Sequence, residues 1–105
     1  MPLRWLAPEA IEFTRYTTET DVWAFGVLVW EIMTLASWPY PDTAPLGLYK
    51  ALVVDGTRLP LPAHCPAGLY DLLLSCWELD PQRRPQFREI HRNLQVRPPR
   101  PLYSS

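Results

Sequence analysis

Cysteine is scarce in this 105-residue chain: Cys65 and Cys76 stand alone, too few for a disulfide scaffold. Both are expected to be reduced thiols, and no His/Cys cluster has metal-ligand spacing. Glycine is scarce too, with four isolated residues at 26, 47, 56 and 68, so there is no glycine-rich phosphate loop. Charge nearly cancels, at a net −1, which gives no case for a nucleic-acid binder. The N-terminus lacks a basic region followed by an apolar run, so no signal peptide is expected. The longest apolar stretch is Val22 to Leu35, apolar at eleven of fourteen positions with Glu31 inside it. A membrane span needs about 20 such residues, so this one reads as a buried helix. His64 and His91 have no Ser or Cys partner at motif spacing, and Glu9, Glu12 and Asp21 sit where acids usually serve helix starts. Read from its residues alone, the chain has no active site.

Proline, by contrast, is abundant, with thirteen residues. An apolar fraction of 48% and a charged fraction of 20% still describe a folded chain. Proline clusters mark loops between Pro39 and Pro66 and an extended tail at Pro98-Pro99-Arg100-Pro101. Four helices are predicted between them. The first follows Thr18-Glu19-Thr20-Asp21, a capping-box variant, and runs from Asp21 to Leu35 as a central post. An all-round apolar helix must be wrapped by its domain. The second covers Leu46 to Val54, ended by Asp55-Gly56. The third covers Ala67 to Leu79, with Leu69, Leu72, Leu73, Cys76 and Trp77 on one face. The fourth covers Pro85 to Gln95, with proline in its first turn and Phe87, Ile90 and Leu94 inward. Thr57 to Leu61 is the only strand-like piece, and proline breaks it. The fold class is all-α. Charge is uneven: residues 83–105 carry six arginines against Glu89 alone.

The order of four motifs resembles the protein tyrosine kinases. Pro2-Leu3-Arg4-Trp5-Leu6-Ala7-Pro8-Glu9 is similar to the end of a kinase activation segment, with its Ala-Pro-Glu signature. Asp21-Val22-Trp23-Ala24-Phe25-Gly26-Val27 resembles the central helix of the C-terminal lobe, continued by Leu28 to Ile32 and Trp38-Pro39-Tyr40-Pro41. Cys76-Trp77, Asp80-Pro81 and Arg84-Pro85 with Phe87 resemble the closing signature. Arg15 to Glu19, Cys65-Pro66 and Ile90-His91-Arg92 lean towards the receptor type, and Ala36 stands where many relatives have glycine. The resemblance covers about residues 2–95, read as a partial kinase domain (1–95) followed by a proline-rich tail (96–105). It implies the helical C-lobe, from the Ala-Pro-Glu segment to the last helix.

The resemblance also implies a division of labour. The family's phosphate loop, strand lysine, His-Arg-Asp loop and Asp-Phe-Gly motif all precede the Ala-Pro-Glu segment. No catalytic residue is therefore assigned in this chain, and none binds metal. ATP and Mg2+ are implied for the parent domain only. Leu3, Arg4 and Trp5 are the implied substrate-positioning loop, with Trp5 as a packing plug the alternative. Glu9, Arg84, Asp21 and Trp23 are the implied structural residues. Asp21 would hold the catalytic loop's amides or complete a capping box, and Glu31 would face the substrate side or reach solvent. Glu9 and Arg84 are expected to pair in an enclosed site. The implied partners are the parent's N-lobe and catalytic loop, a protein substrate, and proline-reading adaptor domains at Pro98–Pro101. Tyr103 is a candidate phosphosite. The implied location is cytoplasmic, at the plasma membrane for a receptor. The competing readings are a non-catalytic interaction module derived from a pseudokinase and an unrelated helical adaptor.

Overall fold

The computed structural model describes residues 2–95. Pro98–Pro101 and Tyr103 lie outside them. Among the described residues there are five α-helices, three short 3-10 turns and no strand. The helices are α1 (Pro8–Phe13), α2 (Thr18–Met33), α3 (Leu48–Val53), α4 (Ala67–Cys76) and α5 (Phe87–Leu94); the turns are Leu3–Trp5, Pro45–Gly47 and Pro81–Arg83.

Helix α2 is the post, and it begins at Thr18, three residues before the expected start at Asp21. Its capping box is Thr17 with Thr20, not Thr18 with Asp21. The Thr20 amide donates to the Thr17 hydroxyl (3.3 Å), and the Thr17 amide donates to the Thr20 hydroxyl (3.1 Å). Threonine suits this place because its hydroxyl also donates, here to Glu9 Oε2 at 3.0 Å. A carboxylate there would face Glu9 with like charge. Asp21 is left exposed, with no capping role.

One side of α2 is dry. Val22, Trp23, Gly26, Val27 and Trp30 are buried, mainly against α4. The other side is not wrapped by the described residues: Leu28 and Ile32 are exposed, and Phe25 is half-buried. Gly26 sets the α2–α4 distance, because a Cβ there would lie 2.7 Å from Trp77 Nε1 and 3.0 Å from Cys76 Cβ. Alanine improves helix propensity by about 1 kcal/mol, but forced overpacking costs about 1–3. Gly26→Ala is therefore expected to lower stability, by about 1 kcal/mol net, in urea denaturation.

Helix α2 stops at Met33 because Leu35 and Ala36 both turn left-handed, at φ 56° and 69°. The Ala36 amide then closes the end on the Glu31 carbonyl at 2.8 Å. Glycine occupies this region without strain, whereas an L-residue there costs about 1–2 kcal/mol, partly offset by glycine's greater entropy when unfolded. Ala36→Gly is expected to stabilise the chain by about 0.5–1 kcal/mol, read as a higher melting temperature.

The later helices are shorter and shallower than their sequence patterns. Helix α4 ends at Cys76 rather than Leu79, since the Glu78 and Leu79 carbonyls turn to accept from Arg84. Of its apolar face Leu73, Cys76 and Trp77 are buried, and Leu69 and Leu72 only partly. Helix α5 is capped by Gln86 with Glu89, so Pro85 precedes the cap instead of opening the first turn. Ile90 alone is buried on it, while Phe87 and Leu94 stay about 40% exposed. The helix lies at the edge, packed on α4 and touching α2 where Phe87 meets Phe25 edge to face, with centroids 5.7 Å apart. The two thiols are free, and burial pushes the Cys76 thiol up to about 11, so it stays protonated.

Candidate functional site

Glu9 stands in the first turn of α1, directly after Pro8, whose fixed φ suits that position. Arg84 ends the turn Pro81–Arg83, which Asp80 opens by accepting from the Gln82 amide at 2.9 Å. The two meet fork to fork: Arg84 Nη1 donates to Glu9 Oε2 at 2.7 Å and Nη2 to Oε1 at 2.9 Å. The arginine side chain is 0% exposed and the glutamate side chain 12%. Arg84 also donates to the carbonyls of Glu78 (2.8 Å), Glu19 (2.9 Å) and Leu79 (3.3 Å). One guanidinium thus ties α1, the start of α2 and the exit of α4. Burial pushes the Glu9 carboxyl up, but Arg84, the local amide and Thr20 outweigh it and hold it below the usual range. The Glu9 carboxyl is ionised at neutral pH and held by both guanidinium nitrogens, which suits a clamp and not a proton carrier.

Trp23 lies beneath this node, fully buried. The guanidinium carbons of Arg84 and Arg58 each sit 5.1 Å from its ring centre, within cation–π range. Arg58 is held there by the carbonyls of Trp77 (2.9 Å), Leu52 (3.0 Å) and Thr57 (2.7 Å). No sequence pattern marked Arg58, because its partners are backbone carbonyls that any residue supplies.

The segment Leu3–Trp5 is anchored at each of its residues. Leu3 packs on the core. Arg4 donates to the carbonyls of Tyr40 (2.7 Å), Thr43 (2.8 Å) and Pro39 (3.3 Å). Trp5 donates its indole N–H to Glu31 Oε1 at 3.1 Å. Glu31 therefore neither reaches solvent unpartnered nor stays a free acid: it fixes the Trp5 ring. Asp21, Trp5 and Glu31 border a groove of about 570 Å³ floored by Ala24, Phe25 and Leu28. The structure therefore brings Leu3, Arg4 and Trp5 to one end of α2 and Glu9, Trp23 and Arg84 to the other. Asp21 lies on the open groove, and its carboxylate makes no hydrogen bond among the described residues.

The sequence of this chain is matched by known proteins along nearly its whole length. Residues 1–94 match the family of protein tyrosine and serine/threonine kinases. The chain belongs to that family. It is 47% identical to ephrin type-A receptor 5 of Gallus gallus over 90 residues, 86% of this chain and 9% of that protein. It is 45% identical to the tyrosine-protein kinase abl-1 of Caenorhabditis elegans over 94 residues, 90% of this chain and 8% of that protein. Against the tyrosine-protein kinase receptor torso of Bombyx mori it is 43% identical over 94 residues, 90% of this chain and 12% of that protein. The chain thus corresponds to a stretch of tyrosine kinase domain and spans about a tenth of these relatives. They include receptor and non-receptor kinases at similar identity. The enclosed Glu9–Arg84 pair joins the first and last of the motifs on which that likeness was read. No helix among the described residues is long and apolar enough to cross a membrane.

Proposed function

We propose that this chain is the substrate-side scaffold of a receptor-type tyrosine kinase domain, whose parent transfers the γ-phosphate of ATP to protein tyrosine. The observation that carries the reading is the family match over residues 1–94. In this reading Leu3, Arg4 and Trp5 seat the peptide, Glu31 orients Trp5, and Glu9–Arg84 with Trp23 holds the frame. ATP and Mg2+ belong to other parts of the parent domain, and no step is assigned to them here. Asp21, exposed at the groove, is the contact offered to the parent's catalytic loop. The location is the cytoplasmic side of the plasma membrane, and the proline-rich tail adds an adaptor-docking segment.

Phosphoryl transfer needs placed phosphate-binding and metal-binding groups, which this reading puts outside residues 2–95. Calorimetric titration of the 105-residue chain with ATP and Mg2+ is expected to show no saturable binding, and a tyrosine peptide is expected to stay unphosphorylated. Saturable nucleotide binding with transfer, in a preparation free of other kinases, would overturn the assignment of the chemistry elsewhere.

A further inference from the structure

We infer that the cleft between the loop after α2 and residues 57–63 binds a small organic acid, a carboxylate on a compact apolar body, with Arg58 and Tyr40 holding the carboxylate. The cleft has a volume of about 530 Å³, within the usual range for a small-molecule site. Its walls include Trp30, Pro41, Pro60 and Pro62. Proline rings are rigid, so little freedom is lost there on binding. Arg58 is the only cationic residue that lines the cleft.

Arg58 carries a charge that this chain leaves unmatched. Its Nε and Nη1 donate to the carbonyls of Trp77, Leu52 and Thr57, whereas Nη2 makes no hydrogen bond among the described residues. Arg84, the other cation over the Trp23 ring, has Glu9; no ion pair among the described residues includes Arg58. A half-buried cation held by neutral groups alone is costly, and an anion from outside lowers that cost. Tyr40 adds a second unmatched group to the same cleft. It is 5% exposed, and its hydroxyl has no hydrogen-bond partner among the described residues. Burial pushes the phenol above its ordinary range, so it keeps its proton and stays a donor. Two unmatched donors, one of them charged, call for an anionic acceptor. Asp42, the only acid on the rim, is exposed, where water and salt screen it. Inorganic phosphate would supply the charge but leave the apolar walls wet, so the occupant carries an apolar body.

Titration of the 105-residue chain with naphthoate, naphthamide and inorganic phosphate tests this. The readout is the five indole N–H signals in nitrogen–proton NMR spectra, above all that of Trp30, which donates to the Pro60 carbonyl at 2.8 Å on the cleft wall. Naphthoate is expected to shift the Trp30 signal saturably and to bind about tenfold tighter than naphthamide, the low end for a hydrogen bond to a charged group. Phosphate is expected to bind more weakly than naphthoate. Arg58→Gln is expected to erase the preference for the acid over the amide. Because Arg58 also ties three carbonyls, Tyr40→Phe keeps the test alive if that variant misfolds. It removes a hydroxyl that bonds nothing in the chain, so the fold should keep its melting temperature while the acid preference falls. Equal affinity for acid and amide, phosphate binding as tight as naphthoate, or no saturable shift at Trp30 would overturn the site. So would an acid preference that survives Arg58→Gln or is unchanged in Tyr40→Phe.

Discussion

Glu9→Gln is expected to lower the stability of the chain by about 3–5 kcal/mol, because it strands a guanidinium that water cannot reach. Arg84 is 0% exposed at its side chain, and glutamine offers it one acceptor oxygen and no charge. An exposed pair would lose at most about 1 kcal/mol on the same change, so the size of the loss reports the enclosure. The pH dependence carries a sign. The folded Glu9 carboxyl sits below its ordinary value of 4.5, so its stabilisation is complete above that pH. As pH falls through the folded value the carboxylate takes up a proton and the contribution disappears. Urea denaturation of the chain and of Glu9→Gln should therefore differ most at neutral pH, with the gap closing below about pH 4.5. A gap that is small at pH 7, or independent of pH, would show that the pair does not hold the frame.

Trp23→Ala is expected to cost a similar amount, about 3–5 kcal/mol, by a different route. Its ring is fully buried and supports two guanidiniums, so alanine leaves a cavity and removes two cation–π contacts at once. Trp23→Phe keeps an aromatic face and is expected to lose about 1–2 kcal/mol. The losses from Trp23→Ala and Glu9→Gln should combine to less than their sum, since Arg84 is a partner in both. Chemical denaturation of the two single variants and the double variant checks this; strict additivity would mean that the indole and the ion pair act independently.

Some of this was legible in the sequence because it depends on residue type and spacing. The helices α2 to α5 follow from apolar periodicity and proline punctuation. Glu9 and Arg84, though 75 residues apart, stood out as motif residues with matching chemistry. The Thr-to-carboxylate spacing points to a capping box one residue later than the Thr17–Thr20 box, since Thr20's bond to Glu9 depends on tertiary contact. Phe87 and Leu94 carried helical spacing, yet spacing only says which side faces inward, not whether a neighbour covers it. Arg58 left no trace, because backbone carbonyls place it. Glu31 was visible as an anomaly in an apolar helix, and only its partner, the Trp5 indole, was missing.

The most direct test grafts residues 2–95 in place of the matching stretch of the abl-1 tyrosine-protein kinase domain, to which the chain is 45% identical. Tyrosine phosphorylation of a peptide is then measured with ATP and Mg2+, alongside the melting curve of the graft. The account predicts transfer within about tenfold of the ungrafted domain, and a selective rise in peptide KM when Trp5→Ala or Glu31→Ala is added. A graft that melts as one cooperative unit and yet transfers no phosphate to tyrosine would contradict it.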